Sequence, residues 1–183
     1  MNTKEIRRAL QGIKARSVGV YAADRIPFRI SFPAAIVANT DPSNLPGSHW
    51  IAIYIDKNGC GIYFDSYGLP PMSTHHIRRL KKICKRYRWN RICFQSLDSK
   101  VCGEFCFAYL YHMCEGKSLQ RFCKLFTRDT FENDRLAAKF YDKIIKRIKN
   151  TKKQQYSRVN SFPLDESRGG GIGINQSCTS RHS

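Results

Sequence analysis

Residues 95–114 read Q-S-L-D-S-K-V-C-G-E-F-C-F-A-Y-L-Y-H-M-C. Behind Cys102 the apolar positions Phe105, Cys106, Tyr109, Leu110 and Met113 recur at helical spacing, which predicts a helix beginning at or near Cys102. Backbone N–H groups at a helix start lack intrahelical partners, and together with the helix dipole they favour an anion. A thiolate there has a lowered pKa and a larger reactive fraction at neutral pH. Gln95, seven residues upstream, can aim a side-chain amide at the same point. A cysteine hydrolase needs two more groups, an imidazole to pair with the thiolate and a group to orient that imidazole. His49 and Asp65 can fill these roles, in chain order His, Asp, Gln, Cys.

His49 and Asp65 flank a predicted hairpin, H-W-I-A-I-Y-I, then D-K-N-G, then C-G-I-Y-F-D-S-Y-G. Two registers are open. A two-residue Asn58-Gly59 turn sets Asp65 opposite Ala52 and leaves His49 on the other face. A three-residue loop or a bulge sets Asp65 opposite Ile51 and puts His49 on the same side. A His49–Asp65 pair requires the second register or a bend near the strand ends.

The remaining elements follow from periodicity and turn chemistry. An amphipathic helix is predicted over 3–15, with Thr3 as N-cap and Ile6, Leu10 and Ile13 inward. A buried strand is predicted over 34–38. A basic helix is expected within 70–89, with Ile77, Leu80, Cys84 and Tyr87 as its apolar stripe. His75 and His76 fall in the loop before it. A short strand over 91–95 ends at Gln95. Helices follow over 118–126 and 132–150, the latter with Leu136, Phe140, Ile144 and Ile148 inward. The expected architecture is α+β, a small central mixed sheet packed with helices, with the nucleophile at the start of a central helix. Residues 1–150 form the expected domain. Residues 151–183 are polar, Gly/Ser-rich and aperiodic, and are expected to be a flexible tail, with the run at 169–171 as linker.

The 183 residues carry 32 Lys and Arg against 14 Asp and Glu, a net charge of +18. Such an excess predicts attraction to nucleic acid or another polyanion. Between Asp65 and Asp98 there is no acidic residue and there are eight basic ones. Arg78, Arg79, Lys81, Lys82, Lys85, Arg86 and Arg88 offer phosphate contacts on one helix, and Lys143, Lys146 and Arg147 on another. No base-reading motif accompanies them, so sequence-independent DNA binding is expected. The N-terminus lacks the apolar run of a signal peptide, and no run approaches the length of a membrane span. The eight cysteines are therefore expected to be free, metal-bound or catalytic rather than paired.

Three ordered blocks, A-I-V-A-N-T-D-P-S-N-L-P-G-S-H-W-I-A, Y-F-D-S-Y-G and Q-S-L-D-S-K-V-C-G-E-F-C, resemble the adenovirus maturation protease family. That family includes relatives in Polinton/Maverick-type elements and adintovirus-like viruses, and shares its core with SUMO and other ubiquitin-like-protein proteases. The likeness covers about residues 15–125. It implies His49 as general base, Asp65 as its orienting group, Cys102 as nucleophile, Gln95 with the Cys102 backbone N–H as oxyanion hole, and Trp50 as a wall of the substrate groove. Glutamate stands at the orienting position in the adenovirus enzyme, and Asp65 follows the SUMO-protease pattern. The resemblance further implies an endopeptidase cutting viral structural precursors after Gly-containing sites, acting as a monomer in the host nucleus and virion. No obligatory cofactor or membrane is implied. DNA is implied as activator, and so is a disulfide-linked viral peptide, for which Cys84 and Cys93 are both imperfect acceptors.

Two other readings stay open. Cys102, Cys106, His112, Cys114 and Cys123 could hold zinc in a nucleic-acid-binding module. The same catalytic core could instead release ubiquitin-like modifiers.

Overall fold

The computed structural model describes the backbone of residues 1–159 and the side chains of residues 1–151. Within the compact unit Met1–Lys149, helix α1 (Thr3–Leu10) precedes strand β1 (Ser17–Tyr21). Strands β2 (Ala34–Asn39), β3 (Trp50–Ile55) and β4 (Cys60–Phe64) follow, then α2 (Thr74–Ile83), β5 (Arg86–Trp89), α3 (Cys102–Cys114) and α4 (Leu119–Cys123). The last helix, α5, is Thr130–Val159. The expectation of a tail from residue 151 meets helical backbone as far as Val159; residues 160–183, including the run at 169–171, lie outside the described residues.

The sheet has strand order β1-β2-β3-β4-β5. Its outer pairs β1–β2 and β4–β5 are parallel, and the inner pairs are antiparallel. The fold is therefore the expected α+β architecture around a mixed sheet. Successive strand side chains point to opposite faces, and both faces here are covered. Val37, Ala52 and Phe64 pack with Ile6, Leu10, Phe105, Tyr109 and Phe122 on one side. Ile36, Ile51, Ile53, Ile55 and Tyr63 pack with Leu80 and Ile83 of α2 on the other. Helix α3 is buried around most of its circumference, as expected of a helix in the middle of a core.

The hairpin takes the register that a His–Asp pair needs. Ile55 faces Gly61 and Ala52 faces Phe64, so Asp65 continues opposite Ile51. The tip is a three-residue loop. The Asp56 carboxylate accepts the N–H groups of Asn58 at 2.8 Å and Cys60 at 2.9 Å, and Gly59 takes φ +81°. That left-handed backbone is one a β-carbon resists.

Several local expectations differ. Helix α1 is capped by Asn2, not Thr3: Asn2 accepts from the Glu5 N–H, and the Glu5 side chain accepts from the Asn2 N–H. It also ends at Leu10, not 15, although Ile13 is still buried. The basic segment splits, because β4 offers a free edge to Arg86–Trp89; Arg86, Tyr87 and Arg88 lie on a strand, not a helix. His75 and His76 lie inside α2, not before it, and His76 is fully buried, its Nε2 donating to the Asn39 carbonyl at 3.0 Å. Burial lowers its pKa to about 4. Residues 91–95 form no strand. They run irregularly, with the Phe94 and Gln95 N–H groups both reaching the Ser66 carbonyl.

Candidate active site

Cys102 is the first residue of α3. Helix α3 is docked on the start of β3, where the Cys106 thiol lies 3.3 Å from the Trp50 carbonyl. The strand places His49 beside Cys102. Its Nε2 is 3.0 Å from Asp65 Oδ1, and its ring stacks on Tyr67 with centroids 4.9 Å apart. Asp65 is held in turn: Asn90 Oδ1 accepts the Asp65 N–H at 2.8 Å, and Asn90 Nδ2 donates to the Asp65 carbonyl at 2.6 Å.

Electrostatics follow from this packing. Burial works against the imidazolium, yet hydrogen bonds to Asp65 and Cys102, with their charges, raise the His49 pKa to about 9. Burial likewise works against the thiolate, but hydrogen bonds from His49 and the Trp50 backbone N–H, and the histidine charge, leave the Cys102 pKa below the usual thiol value. The two shifts are one interaction seen from both ends, and both favour a thiolate–imidazolium pair. Burial drives other cysteines the opposite way: Cys84 to about 11, Cys114 to about 12, and Cys106 well above the thiol range.

Gln95 is buried, at 1% exposure. The Ser66 hydroxyl donates to its Oε1 at 2.7 Å, while its Nε2 donates to the Ser99 carbonyl at 3.0 Å and to Tyr67 Oη at 3.2 Å. Its loop is pinned from α5. Asp134 accepts from the Ser96 hydroxyl at 2.5 Å, and Asn133 Nδ2 donates to the Phe94 carbonyl at 3.2 Å. Trp50 is half-buried, with its indole N–H donating to the Met1 carbonyl at 3.0 Å.

His49, Asp65 and Cys102 thus stand together, and Gln95 reaches them through Tyr67, whose ring stacks on His49. A thiolate–imidazolium pair with a carboxylate behind it can add to a carbonyl and return the proton to a leaving group. Sequence reasoning passed over Ser66, Tyr67, Asn90 and Asp134. Tyr67 did carry a signal, since it stands two residues after Asp65 in the quoted Y-F-D-S-Y-G block. Asn90 and Asp134 are isolated polar residues whose partners lie 25 and 38 positions away.

The basic residues divide. Arg78, Lys81, Lys82, Lys85, Arg86, Arg88, Lys143, Lys146 and Arg147 have exposed side chains. Arg79 does not offer a phosphate contact: it is 7% exposed, and its guanidinium lies 3.3 Å over the Phe28 ring. Among the described residues no three His, Cys, Asp or Glu side chains are grouped to hold a metal ion. Cys102, Cys106, His112, Cys114 and Cys123, the residues of the zinc reading, thus form no such group. No described helix is long and apolar enough to cross a membrane.

The site and the mixed sheet together define a cysteine–histidine–aspartate centre on an α+β scaffold. Comparison with known proteins adds a sequence likeness. Over 93 residues, 45% of this chain, it is 29% identical to a protein of Acanthamoeba polyphaga mimivirus named "Putative thiol protease". The chain spans only 30% of that protein's length. Among solved structures, an ASFV protease overlaps 59% of this chain and 43% of its own, with TM-score 0.39 and 27% identity. ChlaDub1 from Chlamydia trachomatis overlaps 57% and 56%, with TM-score 0.42 and 16% identity. These are partial overlaps, and neither bears on what the chain does. No protein-family model matches.

Proposed function

We propose that the chain is a cysteine endopeptidase in which Cys102 is the nucleophile, His49 the base, Asp65 its orienting group and Gln95 part of the oxyanion site. The carrying observation is the His49 ring, bonded through Nε2 to Asp65 at 3.0 Å and by its other side to a Cys102 whose pKa is lowered. The likeness to the mimivirus protein supports this reading. In the reaction, His49 takes the Cys102 proton, the thiolate attacks the scissile carbonyl, and the imidazolium protonates the departing amine. Water then repeats the sequence on the thioester.

The substrate class follows from the sequence resemblance, namely viral structural precursors cut after Gly-containing sites, with Trp50 beside the groove. DNA association is supported by the net charge of +18 and by the exposed basic residues of α2, β5 and α5. Nuclear and virion location belong to the same reading.

The test is cleavage of a Gly-Gly-containing peptide by the full chain and by Cys102→Ala. Cleavage lost in the variant, with unchanged circular dichroism, is the expected result. Undiminished cleavage ends the mechanism. Running co-encoded capsid proteins beside ubiquitin-like conjugates then separates maturation from deconjugation.

A further inference from the structure

Neither N–H of the Gln95 amide is free. One donates to the Ser99 carbonyl and the other to Tyr67 Oη, while Ser66 fixes the amide's oxygen. An oxyanion beside Cys102 therefore meets an amide whose donors are already taken. Beside that amide, 3.2 Å from Nε2, stands the Tyr67 hydroxyl, on a ring stacked against His49.

Tyr67 is held at both ends. Its backbone N–H donates to Asp65 Oδ1 at 2.8 Å, on the same oxygen that His49 Nε2 approaches. Its ring stacks on His49 at 29°. Gly68, next in the chain, takes φ +75°, and a β-carbon there would meet the Ile92 carbonyl carbon at 2.7 Å, so the turn carrying Tyr67 is fixed. The hydroxyl accepts the Gln95 proton, and among the described residues nothing accepts its own. Burial, and then the nearby Cys102 charge, raise the phenol pKa, so the hydroxyl keeps its proton across neutral pH. A hydroxyl that accepts from one donor becomes a better donor itself.

Resting on the protease reading above, we infer that Tyr67 is a catalytic residue: its hydroxyl donates to the oxyanion together with the Cys102 backbone N–H, and Gln95 acts through it. As the thiolate forms its S–C bond, the carbonyl π pair moves onto oxygen. The Tyr67 proton is hydrogen-bonded to that oxygen and is not transferred. When the C–N bond breaks and the carbonyl re-forms, this hydrogen bond weakens again. The interaction thus grows in the transition state, where it accelerates the reaction.

The experiment compares wild type, Tyr67→Phe, Gln95→Ala and the double variant on one Gly-Gly peptide, with a peptide aldehyde of the same sequence as probe. Phenylalanine keeps the ring stack on His49 and removes only the hydroxyl. The expected result for Tyr67→Phe is kcat lower by about 100-fold. KM and the pH profile of Cys102 alkylation stay at the wild-type values, and the aldehyde, whose adduct carries its oxygen in the same place, binds proportionally more weakly. The double variant is expected to be no slower than the slower single variant, because both changes interrupt one chain of donors. A Tyr67→Phe variant as fast as wild type, or losses that multiply in the double variant, overturns the inference and leaves the protease reading standing. A wild type that neither cleaves the peptide nor alkylates selectively at Cys102 overturns both.

Discussion

At the scale of single residues, the site rests on two opposed pKa shifts, and their signs fix its behaviour with pH. On the protease reading, activity needs the thiolate, which is lost as pH falls through the lowered Cys102 value. It also needs the imidazolium to protonate the leaving amine, which is lost as pH rises through about 9. The kcat/KM profile is expected to be bell-shaped with its alkaline limb near that value, measured by initial rates across pH. Alkylation at neutral pH, mapped by mass spectrometry, should mark Cys102 ahead of Cys84, Cys106 and Cys114, whose thiols burial holds protonated. Asp65→Asn is expected to lose much less activity than His49→Ala, since an amide oxygen can still accept from His49 Nε2. Its alkaline limb should move to lower pH, because the Asp65 charge that helped hold the proton is gone. Equal losses in the two variants would show that charge, not orientation, is what Asp65 supplies.

At the scale of elements, Asp65, the proposed orienting group, is braced through its backbone by a residue of a neighbouring strand end. Asn90 closes both polar backbone groups of Asp65, and it is buried at the end of β5. Asn90→Ala leaves the Asp65 N–H unpaired in the interior, while the carbonyl keeps the Gly68 N–H, and is expected to cost about 1–3 kcal/mol by urea unfolding, with a larger effect on kcat than on KM. The elements also show what a sequence reveals and what it withholds. Helix α3 was legible because Cys102, Phe105, Cys106, Tyr109 and Met113 carry its period alone. The hairpin was legible as a hairpin, but its register was not. Asn58-Gly59 suits a two-residue turn equally well, and only the packing of Ile51, Ile53 and Ile55 on one face with Ala52 and Phe64 on the other selects the longer loop. Strand β5 was misread as helix because apolar residues at 77, 80, 84 and 87 match a helical stripe. The free edge of β4 decides otherwise, and such an edge is invisible to local pattern. Asn90 and Asp134 act across long sequence separations, so nothing near them announces their roles.

At the scale of the whole molecule, the charge is concentrated where α2 and β5 meet. Arg78, Lys81, Lys82, Lys85, Arg86 and Arg88 lie within eleven positions of the sequence, and all are exposed. Each phosphate neutralised on duplex DNA contributes about −0.9 to the slope of log affinity against log salt. Lys81→Glu/Lys82→Glu should therefore make that slope shallower by about 2 in a fluorescence-anisotropy titration. Binding that ignores salt would remove the DNA reading. The assembled site has one more consequence. His49, Asp65, Gln95 and Cys102 come from separate elements and meet only in the folded chain. The raised His49 pKa stabilises the fold fully below about 6.5 and ceases to do so as pH rises through about 9. The lowered Cys102 pKa stabilises it above the ordinary thiol value and ceases as pH falls through its folded value. Chemistry and folding thus draw on the same proton equilibria. Reactivity of this one thiol below the ordinary thiol pKa is a property of the native state, since an unfolded thiol is mostly protonated there. Its alkylation rate, followed through a urea titration, reports the fraction of molecules still folded without any added label.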